Sequence, residues 1–243
     1  MELSEYKNIY ENEATHFFYV ANHEIVLSLI KRYRGGKNLR ILDAGCGTGL
    51  LAKKLKQFGK VSAIDVHPEA IRFAKKRKVN ANLGSVTKLP FEEGAFDVAV
   101  CIDVLYHQRI KNDVRALSEL FRVLKKGGIL IVRVPAYKWL TSAHDRHVHT
   151  RERYQKNELR EKLIKAGFTI EKLSFVNMAL FPFAVFTSVI EKTRTKTSSK
   201  SGVTRLPWPA NIFLTGILSF EKHLLPYINL PFGLGLIAVC RKR

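Results

Sequence analysis

The chain has 243 residues, 46% hydrophobic and 26% charged, the balance of a soluble globular protein: long enough for one α/β domain with a sizeable core and too short for two. Forty-one Lys and Arg against 21 Asp and Glu give a formal net charge of +20, which favours nucleic acid, an anionic membrane face or a phosphorylated small molecule without choosing among them. The three cysteines (Cys46, Cys101, Cys240) are far apart and odd in number, which argues against a disulfide framework or zinc cluster and for a reducing cytoplasm. The first twenty residues are mixed and partly acidic, unlike a signal peptide, and no apolar run reaches the roughly 18 residues of a membrane-spanning helix.

Taken in order, apolar residues at helical spacing predict a helix over 22–33, stopped by Gly35 and Gly36. A strand at 39–44, a helix at 50–58, a strand at 61–65 and a helix opened by Pro68 at 68–77 follow. Residues 82–85 read as a short third strand, and 96–102 as a strand apolar enough to be covered on both faces. A helix at 111–124 ends near Gly127 and Gly128, and a strand at 129–134 is closed by Pro135. This alternation predicts a doubly wound parallel sheet with right-handed crossovers and a ligand at the carboxyl ends of the strands, where Gly45, Asp65, Ser85 and Asp103 fall.

Beyond residue 135 the rhythm changes. A helix is expected over 157–167 and a strand over 168–176, then an apolar stretch at 179–189 interrupted by Pro182 and a Lys/Arg/Ser/Thr-rich run at 191–205 that reads as flexible. A helical pattern at 212–225 and a strand at 234–239 complete the chain. If 168–176 and 234–239 pair as the last hairpin, the residues between them far exceed the two to five of a tight hairpin loop and form an insertion.

The most specific signal is Ile41-Leu42-Asp43-Ala44-Gly45-Cys46-Gly47-Thr48-Gly49, a strand that ends in an acid and three alternating glycines before a helix. Such glycines let backbone approach a ligand closely. Asp65 ends the next strand, where a carboxylate can accept hydrogen bonds from both ribose hydroxyls. The acid precedes the glycines, and no Gly-Lys-Ser/Thr follows to hold a triphosphate.

This turn resembles the first motif of the class I S-adenosylmethionine (SAM)-dependent methyltransferases. Leu89-Pro90-Phe91, Gly94-Ala95-Phe96-Asp97, Val104-Leu105-Tyr106-His107 and Arg122 to Gly128 resemble further segments of that family, more narrowly its type 11 branch, so that 41–135 are covered. Thr15 to Tyr19 and Val134 to Leu140 resemble a subfamily's N-terminal cap and post-strand segment. The resemblance implies a Rossmann-like methyltransferase fold: an α/β, doubly wound, mostly parallel seven-stranded sheet with an antiparallel last strand and an inserted helical/loop segment. It implies a helical cap over 1–38, a SAM-binding core over 39–178, an insertion over 179–231 and the last core strand over 232–243. SAM is then the cofactor, held by Asp43, Gly45, Cys46, Gly47, Gly49, Asp65, Val66, Ser85, Val86 and Ile102, with Asp65 at the ribose, the glycines facing the methionine part and the residues after the third strand facing the adenine. The chain departs from the family at Ser85-Val86, where an acid is usual, at Ala21-Asn22, where Gly-Arg is common, and at Glu152, where an arginine is usual.

His107, and His144 beside Asp145, are the candidates for a general base, since imidazole titrates near neutral pH; His107 reads equally as a packing residue. His147 and His149 add no ligand geometry, and no metal is expected. Tyr137 and Trp139 read either as pocket wall or as core cap. The 179–231 insertion is expected to be a lid, with an element lying on an anionic membrane as the other reading. The function expected is methylation of a small-molecule or lipid-linked acceptor in the cytoplasm, with peripheral contact to the inner membrane face. RNA methylation, less favoured because no RNA-binding module is appended, and a non-catalytic SAM-binding or membrane-associated role are the alternatives.

Overall fold

The computed structural model describes residues 3–140, 150–193 and 206–243. Seven strands, β1 (Leu39–Ala44), β2 (Gly59–Asp65), β3 (Ala81–Leu83), β4 (Phe96–Ile102), β5 (Leu124–Pro135), β6 (Thr169–Val176) and β7 (Gly235–Arg241), form one sheet in the order β3-β2-β1-β4-β5-β7-β6. β7 runs antiparallel to both its neighbours, and the other pairings are parallel. The order reverses between β1 and β4, which opens a crevice at their carboxyl ends.

Alternation along the strands divides the core. Leu42, Ala99, Cys101, Leu130 and Val132 face α5 (Asp113–Val123) and α6 (Lys156–Lys165), whereas Ile41, Val98, Val100, Ile129 and Ile131 face α2 (Phe17–Tyr33) and α3 (Leu50–Leu55). Helix α4 (Pro68–Lys76) packs beside α3, and α1 (Leu3–Asn12) lies on α4 through Tyr10 stacked on Phe73 at 4.6 Å. Between β6 and β7 come a 3₁₀ turn at Met178–Leu180, α7 (Phe181–Thr193) and α8 (Trp208–Leu224).

Several elements differ from the sequence expectation, and three of the differences have a physical reason in the structure. Helix α2 starts at Phe17 rather than at 22, because extended His16 caps it and Asn211 of α8 accepts the Phe17 amide at 3.0 Å. Strand β5 starts at Leu124 rather than 129, crossing Gly127 at φ +77° while its register on β4 jumps from Phe96↔Leu124 to Val98↔Ile129. Pro182 does not interrupt α7; it occupies the first turn, where its missing N–H costs nothing.

Buried Asp113 ties α5 to the segment after β5. It accepts hydrogen bonds from Tyr154 Oη at 2.6 Å, Lys162 Nζ at 2.6 Å and Arg151 Nη2 at 2.5 Å. Burial pushes its carboxyl up, but these three donors outweigh that and hold it below the ordinary carboxylate range. A depressed folded pKa adds stability above the unfolded value of about 4, and that stability is lost as pH falls through the folded value. Asp113→Ala is expected to cost about 1–3 kcal/mol in denaturant unfolding at neutral pH, because it leaves the buried Tyr154 hydroxyl without its acceptor. Asp113→Asn should flatten the acid limb of the stability curve below about pH 4; an unchanged acid limb would contradict the role given to Asp113.

Candidate functional site

The glycine turn leaves β1 and enters α3 across the crevice. Gly45 has φ +90°, and a Cβ there would collide with the Val104 side chain of the loop after β4, so only glycine fits. Gly47, at φ +52°, is different: a Cβ would meet nothing within 4 Å and would stand in the cavity. The Gly47 amide donates to Asp65 Oδ2 at 2.9 Å and the His67 amide to Asp65 Oδ1 at 2.9 Å. Two backbone donors thus fix the Asp65 carboxylate while each oxygen keeps accepting capacity. Burial still pushes the Asp65 carboxyl up.

Asp43 lies deeper, at the end of β1. Burial, then the neighbouring Asp65 charge, push its carboxyl up to about 7 against the Ala52 amide that lowers it, and its Oδ2 has no hydrogen-bond partner. Glu13, between α1 and α2, adds a third buried acid, accepting from Thr48 Oγ1 and pairing with Arg77 at 2.9 Å. The glycine turn therefore faces a concentration of negative charge.

These groups line a cavity of about 580 Å³, within the usual range for organic ligands. Its other half is built by α2, the ends of β4 and β5, residues 150–153 and α7, the last through Ala184, Thr187 and Ser188. Buried Arg133 of β5 sits on this side. Its guanidinium pairs with Asp103 and donates to Asn177 Oδ1 at 2.9 Å, and it lies 5.0 Å from the Phe18 ring centroid. Asn177 in turn gives its amide to Glu221 of α8 at 2.7 Å. Arg133, Glu13 and His23 were not singled out by sequence. Arg133 and His23 stand within strand and helix patterns, where each reads as an ordinary member of its element; His23 is buried, which lowers its pKa to about 3 and keeps it neutral.

Of the ten residues assigned to the cofactor, nine line the cavity, and Gly49 does not. Gly49 instead lets α3 approach α4, since a Cβ there would lie 2.8 Å from Ala74 Cβ. The Ser85 hydroxyl lines the cavity but is engaged with Thr87 Oγ1 at 2.8 Å. Asn22 also lines it, with its amide nitrogen on Phe18 O at 2.7 Å and Oδ1 unpartnered. His107 lines the acceptor half, and its Nδ1 accepts the Arg109 amide at 3.2 Å, which places the neutral ring's hydrogen on Nε2. His144 and Asp145 lie outside the described residues. Tyr137 and Trp139 do not line the cavity; Tyr137 stacks on Phe175 at 5.3 Å and both pack against Phe181. No cluster of metal-ligating side chains is found among the described residues.

SAM, a cation with a vicinal diol, fits this donor set. The orphaned Asp43 oxygen suits positive charge, Asp65 suits the diol, and the open side of Gly47 leaves room for a ligand where a side chain would fill it.

Residues 42–132 match the methyltransferase-domain family. A probable SAM-dependent methyltransferase of Mycolicibacterium smegmatis is 29% identical over 63% of this chain and 60% of its own length. The 24-methylenesterol C-methyltransferase 3 of Arabidopsis thaliana is 28% identical over 87% of this chain and 57% of its own. The chain thus spans about a third to three-fifths of the length of the curated relatives it matches. A SAM-dependent methyltransferase structure from Thermotoga maritima superposes with a TM-score of 0.56 at 20% identity, covering 98% of this chain and 99% of that one.

The raised Asp43 carboxyl has a pH signature. A folded pKa above the unfolded value adds stability at low pH that is lost as pH rises through about 7. Asp43→Asn should therefore remove a stability decline between about pH 4 and 7, and carboxyl NMR should show the Asp43 midpoint falling when a cationic nucleoside binds. An identical pH slope in Asp43→Asn would contradict the burial argument.

Proposed function

We propose that this chain, which belongs to the class I SAM-dependent methyltransferases, transfers a methyl group to a small-molecule or lipid-linked acceptor. The observation that carries the reading is the pairing of an orphaned buried carboxylate, Asp43, with the amide-fixed Asp65 at adjacent strand ends beside the open face of Gly47. Bound SAM supplies a sulfonium-activated methyl group, so the protein's task is mainly to position the acceptor and exclude water.

In this reading Asp65 accepts the ribose hydroxyls, and Asp43 with the Gly45–Gly47 turn faces the methionine end. Val66, Ser85, Val86 and Ile102 enclose the adenine. Gly49 acts indirectly, by fixing the start of α3. The acceptor occupies the half walled by Tyr106, His107, Arg153 and α7, under the cap formed by residues 1–38 and the lid formed by the 179–231 insertion. His107 meets the acceptor: with its hydrogen on Nε2 it donates to and orients an acceptor oxygen, and to take the acceptor's proton the ring would release the Arg109 amide and turn unprotonated Nδ1 toward it. His144 and Asp145 are kept as candidates for the same task. The sterol acceptor named for the Arabidopsis relative supports the lipid-linked class. RNA is the second reading, favoured by the net charge of +20.

Incubating the protein with methyl-labelled SAM and cell extract, then separating lipid, aqueous, protein and RNA fractions, tests the assignment: label is expected in the lipid or small-molecule fraction. Label in RNA alone would establish the second reading, and none in any fraction would remove methyl transfer. Asp65→Ala should weaken SAM binding by about 1.5–3 kcal/mol in calorimetry, the scale of a lost hydrogen bond to a charged group. His107→Ala should keep SAM affinity and lose about 10²-fold or more in rate.

A further inference from the structure

A helix attached to a folded domain ordinarily turns its apolar stripe inward and its polar residues to water. Helices α7 and α8 depart from this: α8 buries only Leu218 and Glu221 and leaves its largest apolar side chains in water, as α7 leaves Phe183 and Phe186. On α8 the polar side chains hold the protein: Asn211 donates to Thr15 O at 2.8 Å and accepts the Phe17 amide, Glu221 accepts the Asn177 and Met178 amides at 2.7 Å, and Lys222 pairs with Glu24 at 3.5 Å. Its outward stripe is Trp208, Ile212, Phe213, Ile217 and Phe220, of which Trp208 is 75% exposed and Phe213 68%. On α7, Thr187 and Ser188 line the cavity, while Phe183 and Phe186 are exposed. Both helices touch the 178–180 turn, and exposed Tyr227 and Ile228 follow α8. Hydrogen bonds hold α8 in place, and its aromatic stripe is left for another surface.

We infer that this face docks on an anionic bilayer. The stretch from Leu206 to Phe232 contains one acid, Glu221, and it is buried, so no carboxylate opposes a negative surface there. Exposed Lys31 and Arg32 end the neighbouring α2, with the Arg32 guanidinium 5.8 Å from the Tyr227 ring centroid. The net charge of +20 opposes burial of the same face against a second copy of the chain and favours anionic lipid. Trp and Tyr are side chains suited to the headgroup level, where one end is apolar and the other wet. No described helix is long and apolar enough to cross a membrane, so α7 and α8 lie in the interface plane. The cavity-facing side of α7 then places the cavity next to lipid. Delivery of a lipid-linked acceptor along α7 rests on the methyltransferase reading; the docking itself does not.

The test is co-sedimentation of the full chain with vesicles of phosphatidylcholine alone and of phosphatidylcholine mixed with phosphatidylglycerol. Wild type should bind the mixed vesicles, bind phosphatidylcholine about tenfold or more weakly, and lose affinity as salt screens the charges. The triple variant Phe183→Ser, Phe213→Ser, Phe220→Ser should lose vesicle binding about tenfold or more while its circular dichroism and SAM affinity stay those of wild type. Lys31→Glu with Arg32→Glu should weaken binding to mixed vesicles only. Absence of wild-type binding would overturn the inference, as would equal binding by the triple variant, which would mean adsorption through charge alone. A wild-type dimer that the triple variant converts to monomer, without vesicle binding, would assign the face to a second copy and overturn it too. SAM affinity is read separately, so failure of the docking and failure of the cofactor assignment remain distinct.

Discussion

The buried guanidinium of Arg133 is the constraint on which the acceptor half of the molecule depends. A cation withdrawn from water is tolerated only when it is paired and hydrogen-bonded. Its two partners, Asp103 and Asn177, both adopt the left-handed backbone conformation, at φ +58° and +59°, which side chains other than glycine seldom take. The turn after β4 and the turn after β6, each made by an Asp or Asn suited to this conformation, are therefore tied together by one residue of β5. Phe18 adds its ring face, which brings in α2, and the Asn177 amide brings in α8 through Glu221. One cation thus fixes the walls of the cavity to the sheet and the insertion to the walls.

The cofactor half is organised by the opposite charge. Parallel pairing of β1 with β2 sets Asp43, the last residue but one of β1, opposite Ala63, and Asp65 ends β2, so the two acids face one cavity across the glycine turn. Two carboxylates crowded into low dielectric resist ionisation, and a cationic ligand relieves that. The division of the cavity, acids over β1 and β2 and Arg133 over β5, follows from strand order.

Much of this was legible in the sequence because it is local. The Asp-x-Gly-x-Gly-x-Gly spacing, the apolar run of β4 and the Pro-opened α4 each report a strand, turn or helix within a few residues, and from them the parallel part of the sheet follows without tertiary knowledge; the nine cavity-lining residues that the resemblance implied lie at its strand ends and turns. What escaped was non-local. The start of α2 is fixed by the cap at His16 together with Asn211, 194 residues away, and no property of residues 12–22 announces the second contact. Arg133 stands in an apolar strand and gives no sign that Asp103 and Asn177 will meet it. Gly49 belongs to the motif by spacing, yet its contact is Ala74 of the next helix, which only the packing of α3 on α4 shows. The outward aromatic stripe of α8 escaped for a related reason: its apolar residues are plain in the sequence, but which of them face water is decided in part by Asn211 and Glu221, whose partners lie in other elements.

The position of β7 has a consequence for synthesis. β7 lies between β5 and β6, yet the ribosome makes it after both and after the whole of residues 177–234. While that stretch is being translated, β6 has no partner and β5 keeps an open edge, and open edges of this kind recruit other strands. The nascent chain must therefore hold an incomplete sheet, with aromatic α7 and α8 already outside the ribosome, until the final strand slides into its slot. The unpaired β5 edge, rather than the finished fold, is then where the newly made chain is open to pairing with other strands.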